Sequence, residues 1–219
     1  MDLYFFSGLG ADKRVFQRLI LPDFFTIHHI EWSPVNVQDS MEEYCRQLAL
    51  QIDQSKPFIL VGLSFGGVIA IQMSKFLSPV QTVIISSFCF KKELPRFYIL
   101  LGKTKIYRLL PSRVLLKPSG FIFRLFGAND SAKKKMLISI LEDTDPVFFR
   151  WAVKQLFTLE NNFKPEPFLH IHGTADKVIP FNLQMGAIPV EGGEHLMVYG
   201  KAEQISEILV QNLKRGSQQ

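Results

Sequence analysis

The chain has little cysteine: two residues, Cys45 and Cys89, among 219. A disulfide framework is thereby excluded as its organising device, and a reducing compartment is expected. Long apolar runs are missing too. Nothing approaches the roughly 20 apolar residues that a bilayer crossing needs. The opening MDLYFFSGLG carries an acid at position 2, no basic start and too short an apolar run for a signal core. The expectation is a soluble, cytoplasmic protein. Cofactor motifs are also absent. Gly8-Leu9-Gly10 lacks the third glycine and the later acid of a dinucleotide fingerprint, and Phe65-Gly66-Gly67 is followed by no Walker lysine. The acid and histidine of Glu191–His195 have no second ligand at a fixed helical offset, so neither a metal nor a nucleotide cofactor is expected.

Apolar side chains, by contrast, are plentiful. The sequence is 47% hydrophobic and contains 20 Phe, which supplies one large core and argues against disorder. Net charge is +5, but it is unevenly placed. Residues 90–160 hold 14 Lys+Arg against 6 Asp+Glu, whereas the rest holds 11 against 14. The basic character belongs to one middle segment.

Short apolar runs alternate with amphipathic stretches. Residues 3–7, 25–32, 58–64, 81–87, 168–174 and 186–192 read as six strands. Residues 12–20, 39–53, 65–77 and 202–216 read as helices, the second capped by Asp39 or Ser40 and the last ended by Gly216. Such alternation predicts an α/β fold: a mainly parallel six-stranded sheet with helices on both faces. The 25–32 strand, with its polar His28, His29 and Glu31, suits a sheet edge. Residues 90–163 break the alternation. They contain helical stretches punctuated by Pro95, Pro111, Pro118 and Pro146, and some 70 residues are too many for a plain loop. A helical cap inserted into a core of 1–89 and 164–219 is expected.

Chemistry concentrates at three strand ends. Gly62-Leu63-Ser64-Phe65-Gly66 has the G-x-S-x-G pattern of a nucleophile elbow, with a strand before it and a helix after it. The pattern alone is common. Its strand–helix context raises it, because the elbow needs a sharp turn there. An activated serine needs a base, and the base an orienting acid. Asp176 follows the 168–174 strand and His195 follows the 186–192 strand, in the Ser, Asp, His order expected after such an elbow. The bland readings are a turn-forming aspartate in TADK and a surface-loop histidine. Glu93 is a substitute acid at lower odds. His170 and His172 are expected to serve structure, with His172 bonding backbone near Gly173. His28 and His29 have no partner pattern. Cys45 and Cys89 are expected to pack, not to attack.

These residues resemble the α/β-hydrolase superfamily. The resemblance rests on Ser7-Gly8-Leu9-Gly10, Gly62 to Gly67, His172 to Asp176 with Pro180, and Gly193-Glu194-His195, and it covers about residues 1–88 and 165–215. It implies Ser64 as nucleophile, Asp176 as orienting acid and His195 as base. It also implies an oxyanion hole, here assigned to the backbone N–H groups of Leu9 and Phe65. Two departures stand out. The first two strands of the usual sheet are missing, and Ser7-Gly8 replaces the frequent His-Gly. The hole uses backbone donors, so losing that histidine need not lose it.

The expected activity is hydrolysis of a carboxylic ester or thioester of a small acyl substrate. Two alternatives remain open: another reaction on the same residues (lyase, perhydrolase or acyltransferase), or a non-catalytic ligand-binding protein. The basic insert reads first as a cap with a solvated Lys/Arg exterior. Its second reading is attraction of an anionic substrate. A third lays residues 107–126 on a membrane surface, which Pro111 and Pro118 weigh against. Nucleic acid is not expected as a partner, because no recognition motif accompanies the charge.

Overall fold

The computed structural model describes residues 1–104 and 116–213. Its sheet contains β1 (Asp2–Phe6), β2 (Thr26–His29), β3 (Phe58–Leu63), β4 (Gln81–Ile85), β5 (Phe168–Gly173) and β6 (Ile188–Val190). The strand order is β2-β1-β3-β4-β5-β6, and every neighbouring pair is parallel. The sheet is thus wholly parallel, and β2 lies at one edge as its polar residues suggested. The chain leaves β1 toward β2 and returns on β1's other side as β3. That reversal makes the carboxyl ends of β1 and β3 a topological switch point, where α/β sheets bind ligands.

Alternate residues of each strand feed opposite faces. Leu3 and Phe5, with Ile59, Val61 and Leu63, enter one apolar cluster; Tyr4 and Phe6, with Phe58 and Leu60, enter the other. The central strands β3 and β4 are buried along their whole length, as helices on both faces require. Helix α1 (Met41–Ala49) starts at Ser40 with a capping box to Glu43, which settles the choice between Asp39 and Ser40. Helix α2 (Phe65–Met73) follows β3 after a single residue, Ser64, and is buried all round.

Between β4 and β5 lie α3 (Arg96–Thr104), α4 (Gly120–Phe126), α5 (Ser131–Asp143) and α6 (Pro146–Thr158). Pro95 and Pro146 stand at helix starts, and Ser119, Asp130 and Asp145 provide N-caps. Pro111, and whatever part of the expected helical stretches falls on residues 105–115, lie outside the described residues. Helices α5 and α6 pack on opposite faces: Met136, Leu137 and Ile140 join the cluster of Leu3, whereas Phe148 and Trp151 join that of Tyr4. The last helices among the described residues are α7 (Met197–Gly200) and α8 (Ala202–Asn212). Gly216 lies outside the described residues.

One expected helix is not formed. Residues 12–20 contain only a 3-10 turn, Lys13–Phe16. Val15 and Phe16 are buried as the pattern required, but tertiary bonds hold the segment in another shape. Asp12 accepts from the Arg14 N–H, the Arg14 guanidinium reaches Asp143 of α5 at 2.7 Å, and the Ile20 N–H donates to Ser206 of α8. Among the described residues no helix is long and apolar enough to cross a membrane.

Candidate active site

Ser64 sits between β3 and α2 with φ 53° and ψ −117°, a backbone conformation that non-glycine residues adopt only under strain. Two glycines make the turn feasible. A side chain on Gly62 would strike the backbone of Gly66 and Gly67, and one on Gly66 would strike the carbonyls of Phe6 and Ser7. Only hydrogens fit where these backbones cross. The strained serine is held on both sides. Its N–H donates to Ile85 O at 2.9 Å, and its carbonyl accepts from Gly67 N–H and from Ser87 Oγ at 2.7 Å.

The side chain of Ser64 meets His195. Its Oγ lies 2.9 Å from His195 Nε2, and His195 Nδ1 lies 2.8 Å from Asp176 Oδ2. Three residues separated by up to 131 positions thus form one hydrogen-bonded line. Asp176 stands in the turn after β5, and its Oδ1 accepts the N–H groups of Val178 and Ile179. Burial pushes the Asp176 carboxyl up. The charge and hydrogen bond of His195, with the Ile179 N–H, outweigh burial and hold it below its ordinary value. His195 and Asp176 are both nearly closed off from water, at 3% and 4% exposure. An ionised Asp176 fixes Nδ1–H as a donor and leaves Nε2 to accept from the serine. The Phe126 ring stands edge-on to the imidazole at 5.4 Å.

The turn after β1 closes on the same spot. Gly8 O accepts the Ala11 N–H, and a Cβ on Gly8 would lie 3.6 Å from the Ser64 Cβ. Leu9 therefore borders Ser64 from β1, while Phe65 follows it on α2. The Phe65 N–H is one of the N-terminal donors that a helix cannot satisfy internally, at the end where the helix dipole favours negative charge.

The remaining histidines and cysteines have other partners. His172 Nε2–H donates to Ile179 O at 2.7 Å, the backbone bond its position suggested. It also stands 3.6 Å from Asp176 Oδ2. His170 Nε2 lies 3.1 Å from Ser87 O and 3.2 Å from His172 Nδ1. Glu93 Oε2 accepts the Cys89 N–H at 2.8 Å, and His195 already has Asp176, so the substitute acid is engaged elsewhere. Burial pushes the thiols of Cys45 and Cys89 up to about 12, which leaves neither as a nucleophile near neutral pH. Among the described residues no group of three His, Cys, Asp or Glu side chains could hold a metal ion.

Two contacts had no sequence signal. Ser87 Oγ braces the Ser64 carbonyl, and the Tyr98 hydroxyl of α3 donates to Val178 O at 2.7 Å, tying the insert to the Asp176 turn. Both join residues far apart in sequence, so only the fold brings them into view.

Solved structures show what this architecture is. A thermophilic esterase from Thermogutta terrifontis matches at TM-score 0.72 and 13% identity, covering 96% of this chain and 88% of that one. MenH from S. aureus matches at TM-score 0.69 and 11% identity, covering 96% and 92%. The chain has the α/β-hydrolase fold. RedJ, a thioesterase from the prodiginine biosynthetic pathway in Streptomyces coelicolor, shares this fold at TM-score 0.62 and 16% identity, covering 97% and 86%. Identities this low establish the fold and not the reaction. No family model matches this α/β-hydrolase-fold chain. A stretch of 70 residues is 33% identical to the nonribosomal peptide synthetase agiA of Aspergillus flavus, spanning 29% of this chain and 1% of that protein.

Proposed function

We propose that this protein is a serine hydrolase that cleaves a carboxylic ester or thioester through an acyl-Ser64 intermediate. The observation that carries the reading is the unbroken line from Ser64 Oγ through His195 to Asp176, with bonds of 2.9 and 2.8 Å. In the reaction, Ser64 Oγ attacks the acyl carbon while its proton passes to His195 Nε2. Asp176 steadies the resulting imidazolium. The oxyanion lies against the N–H groups of Leu9 and Phe65. Collapse breaks the bond to the leaving oxygen or sulfur, which takes the proton from His195. Water then attacks the acyl carbon, gives a proton to His195 and releases the acid as Oγ recovers its hydrogen.

Residues 90–163 act as a cap over a core of 1–89 and 164–219. The cap supplies apolar walls: Ile122, Phe126, Leu137, Ile140 and Phe149 line a cavity that opens on Ser64. A small acyl substrate with apolar parts suits such a lining.

Labelling with a fluorophosphonate, read by intact mass, tests the reading. One adduct on wild type that is missing from Ser64→Ala is expected, together with turnover of simple esters. A folded wild type that takes up no probe and turns over no ester or thioester would reject it.

A further inference from the structure

Among the described residues, a larger and a smaller cavity both reach Ser64. The larger, about 220 Å³, is walled by Val15, Leu63, Leu137, Ile140, Phe149 and Leu196 among others, and it contains Leu9 and His195. The smaller, about 100 Å³, is walled by Phe65, Phe88, Leu94, Tyr98 and Phe157. Ser64, Leu156 and Val178 border both, so they stand at the partition.

Resting on the reading of Ser64 as the nucleophile, we infer that the larger cavity takes the leaving alcohol and the smaller one the acyl chain, so that the substrate is an ester joining a short acyl group to a longer apolar alcohol. The argument starts from the tetrahedral carbon on Ser64 Oγ. Its oxyanion lies between the N–H groups of Leu9, which borders the larger cavity, and Phe65, which borders the smaller. The two other substituents then diverge to either side. The leaving oxygen must take its proton from His195 Nε2, so it lies within hydrogen-bond reach of that atom. His195 borders only the larger cavity. The group behind the leaving oxygen is therefore directed there, and the acyl carbon chain is left the side without the histidine.

Lining chemistry narrows the alcohol. Apart from Ser64 and His195, the described lining of the larger cavity is made of aliphatic and aromatic residues and Gly8. Against this described lining, a leaving thiol rich in amides or phosphates would exchange water for few polar partners, which is costly. An apolar alcohol carries no such cost. On the acyl side, the Tyr98 hydroxyl is already engaged by Val178 O at 2.7 Å, which fixes its ring as a wall of the smaller cavity.

Two isomeric esters of equal composition, hexyl acetate and methyl heptanoate, separate the assignments without a difference in overall size. The wild type should show kcat/KM for hexyl acetate at least about tenfold above that for methyl heptanoate, the scale on which an apolar pocket separates misfitting chains. Ile122→Trp, which fills the larger cavity from α4, should lower kcat/KM for hexyl acetate about tenfold more than for methyl acetate. Leu94→Ala, which widens the smaller cavity, should raise the methyl heptanoate to hexyl acetate ratio. Turnover of both isomers with equal rates, or with methyl heptanoate preferred, would overturn the cavity assignment while leaving the serine chemistry intact. No turnover of either, with no fluorophosphonate adduct on Ser64, would overturn both.

Discussion

Ser87 Oγ donates to the carbonyl of Ser64 at 2.7 Å, so the second residue past β4 braces the strained turn after β3. Gly67 makes room for this: a Cβ there would collide with the Ser87 side chain. On the proposed mechanism the brace acts where position matters most, because Ser64 Oγ would have to meet His195 Nε2 and the proposed oxyanion donors at once. Ser87→Ala removes the bond but orphans nothing, since the Ser64 carbonyl still accepts from Gly67 and Val68. The expected loss of stability is about 1 kcal/mol. Loosened geometry should lower kcat more than it raises KM. Urea denaturation and steady-state kinetics on the variant check both. A kcat equal to wild type would show that the elbow keeps its shape unaided.

The φ of 53° at Ser64 makes a separate prediction. Strain of this type costs about 1–3 kcal/mol for a side-chain-bearing residue, and glycine escapes most of it at the expense of about 0.4–1 kcal/mol of unfolded-state entropy. Ser64→Gly should therefore be more stable than Ser64→Ala by roughly 1 kcal/mol. Both should lose the proposed activity by about 10⁴-fold or more, because in the proposed mechanism the three residues work as a unit. Melting curves of the two variants side by side provide the comparison. An alanine variant as stable as the glycine variant would remove the strain from the account.

Asp176 and Glu93 offer a test of the orienting acid. Asp176→Asn keeps the shape but removes the charge that steadies His195, and kcat/KM should fall by about 10⁴. Glu93→Gln should stay within about threefold of wild type, as its carboxyl serves the Cys89 N–H. If the two variants exchanged these outcomes, Glu93 would be the acid.

Much of this was legible in the chain itself, and the exceptions share one cause. The six strands announced themselves because short apolar runs ended by glycine or polar residues have few other uses in a parallel sheet. Ser64, Asp176 and His195 could be picked out because each stands just past such a run. The apolar spacing of Val15, Phe16, Leu19 and Ile20 points to a helix over 12–20, but the segment is a 3-10 turn pinned by Asp12, Arg14 and Asp143, and Ile20 is left exposed. Periodicity does not report which long-range bonds bend the backbone. The contacts of Ser87 and Tyr98 are hidden from sequence for the same reason, since their partners lie 23 and 80 residues away.

His170 and His172 set an acid limit to stability. Burial pushes His170 down to about 3, with the neighbouring His172 adding to the effect, and burial also holds His172 below its ordinary 6.5. Both are neutral when folded and bind protons more readily when unfolded. Their stability contribution is thus complete above about pH 6.5 and is lost as pH falls through each folded value, about 3 for His170. While it titrates, each histidine should add a slope of up to about 1.4 kcal/mol per pH unit. Asp176, held below its ordinary value, loses its own contribution only at lower pH, as pH falls through its folded value. Denaturation midpoints at pH 7.5, 6.5, 5.5 and 4.5 should fall steadily for wild type and less steeply for His170→Phe. Parallel slopes would mean that His170 does not titrate on unfolding.

Trp151 fastens α6 to the rest of the chain. Its side chain is fully buried, its indole N–H donates to Asp39 O at 2.8 Å, and its ring lies 4.5 Å from that of Tyr44 on α1. Phe65, whose N–H is the proposed oxyanion donor, packs edge-on against it at 6.0 Å. Trp151→Ala would leave a large cavity and should cost about 3–5 kcal/mol, a large share of the about 5–15 kcal/mol that holds a typical domain folded. Trp151→Phe keeps most of the packing and loses the indole bond. Asp39 O retains Gln155 Nε2 at 3.3 Å, so this variant should cost only about 1–2 kcal/mol. The milder variant is the informative one for function, because it stays folded. If the aromatic stack also holds Phe65 in place, kcat should fall severalfold with KM little changed. A Trp151→Phe protein with reduced stability and full kcat would confine the tryptophan to fastening α6 and leave Phe65 held by α2 alone.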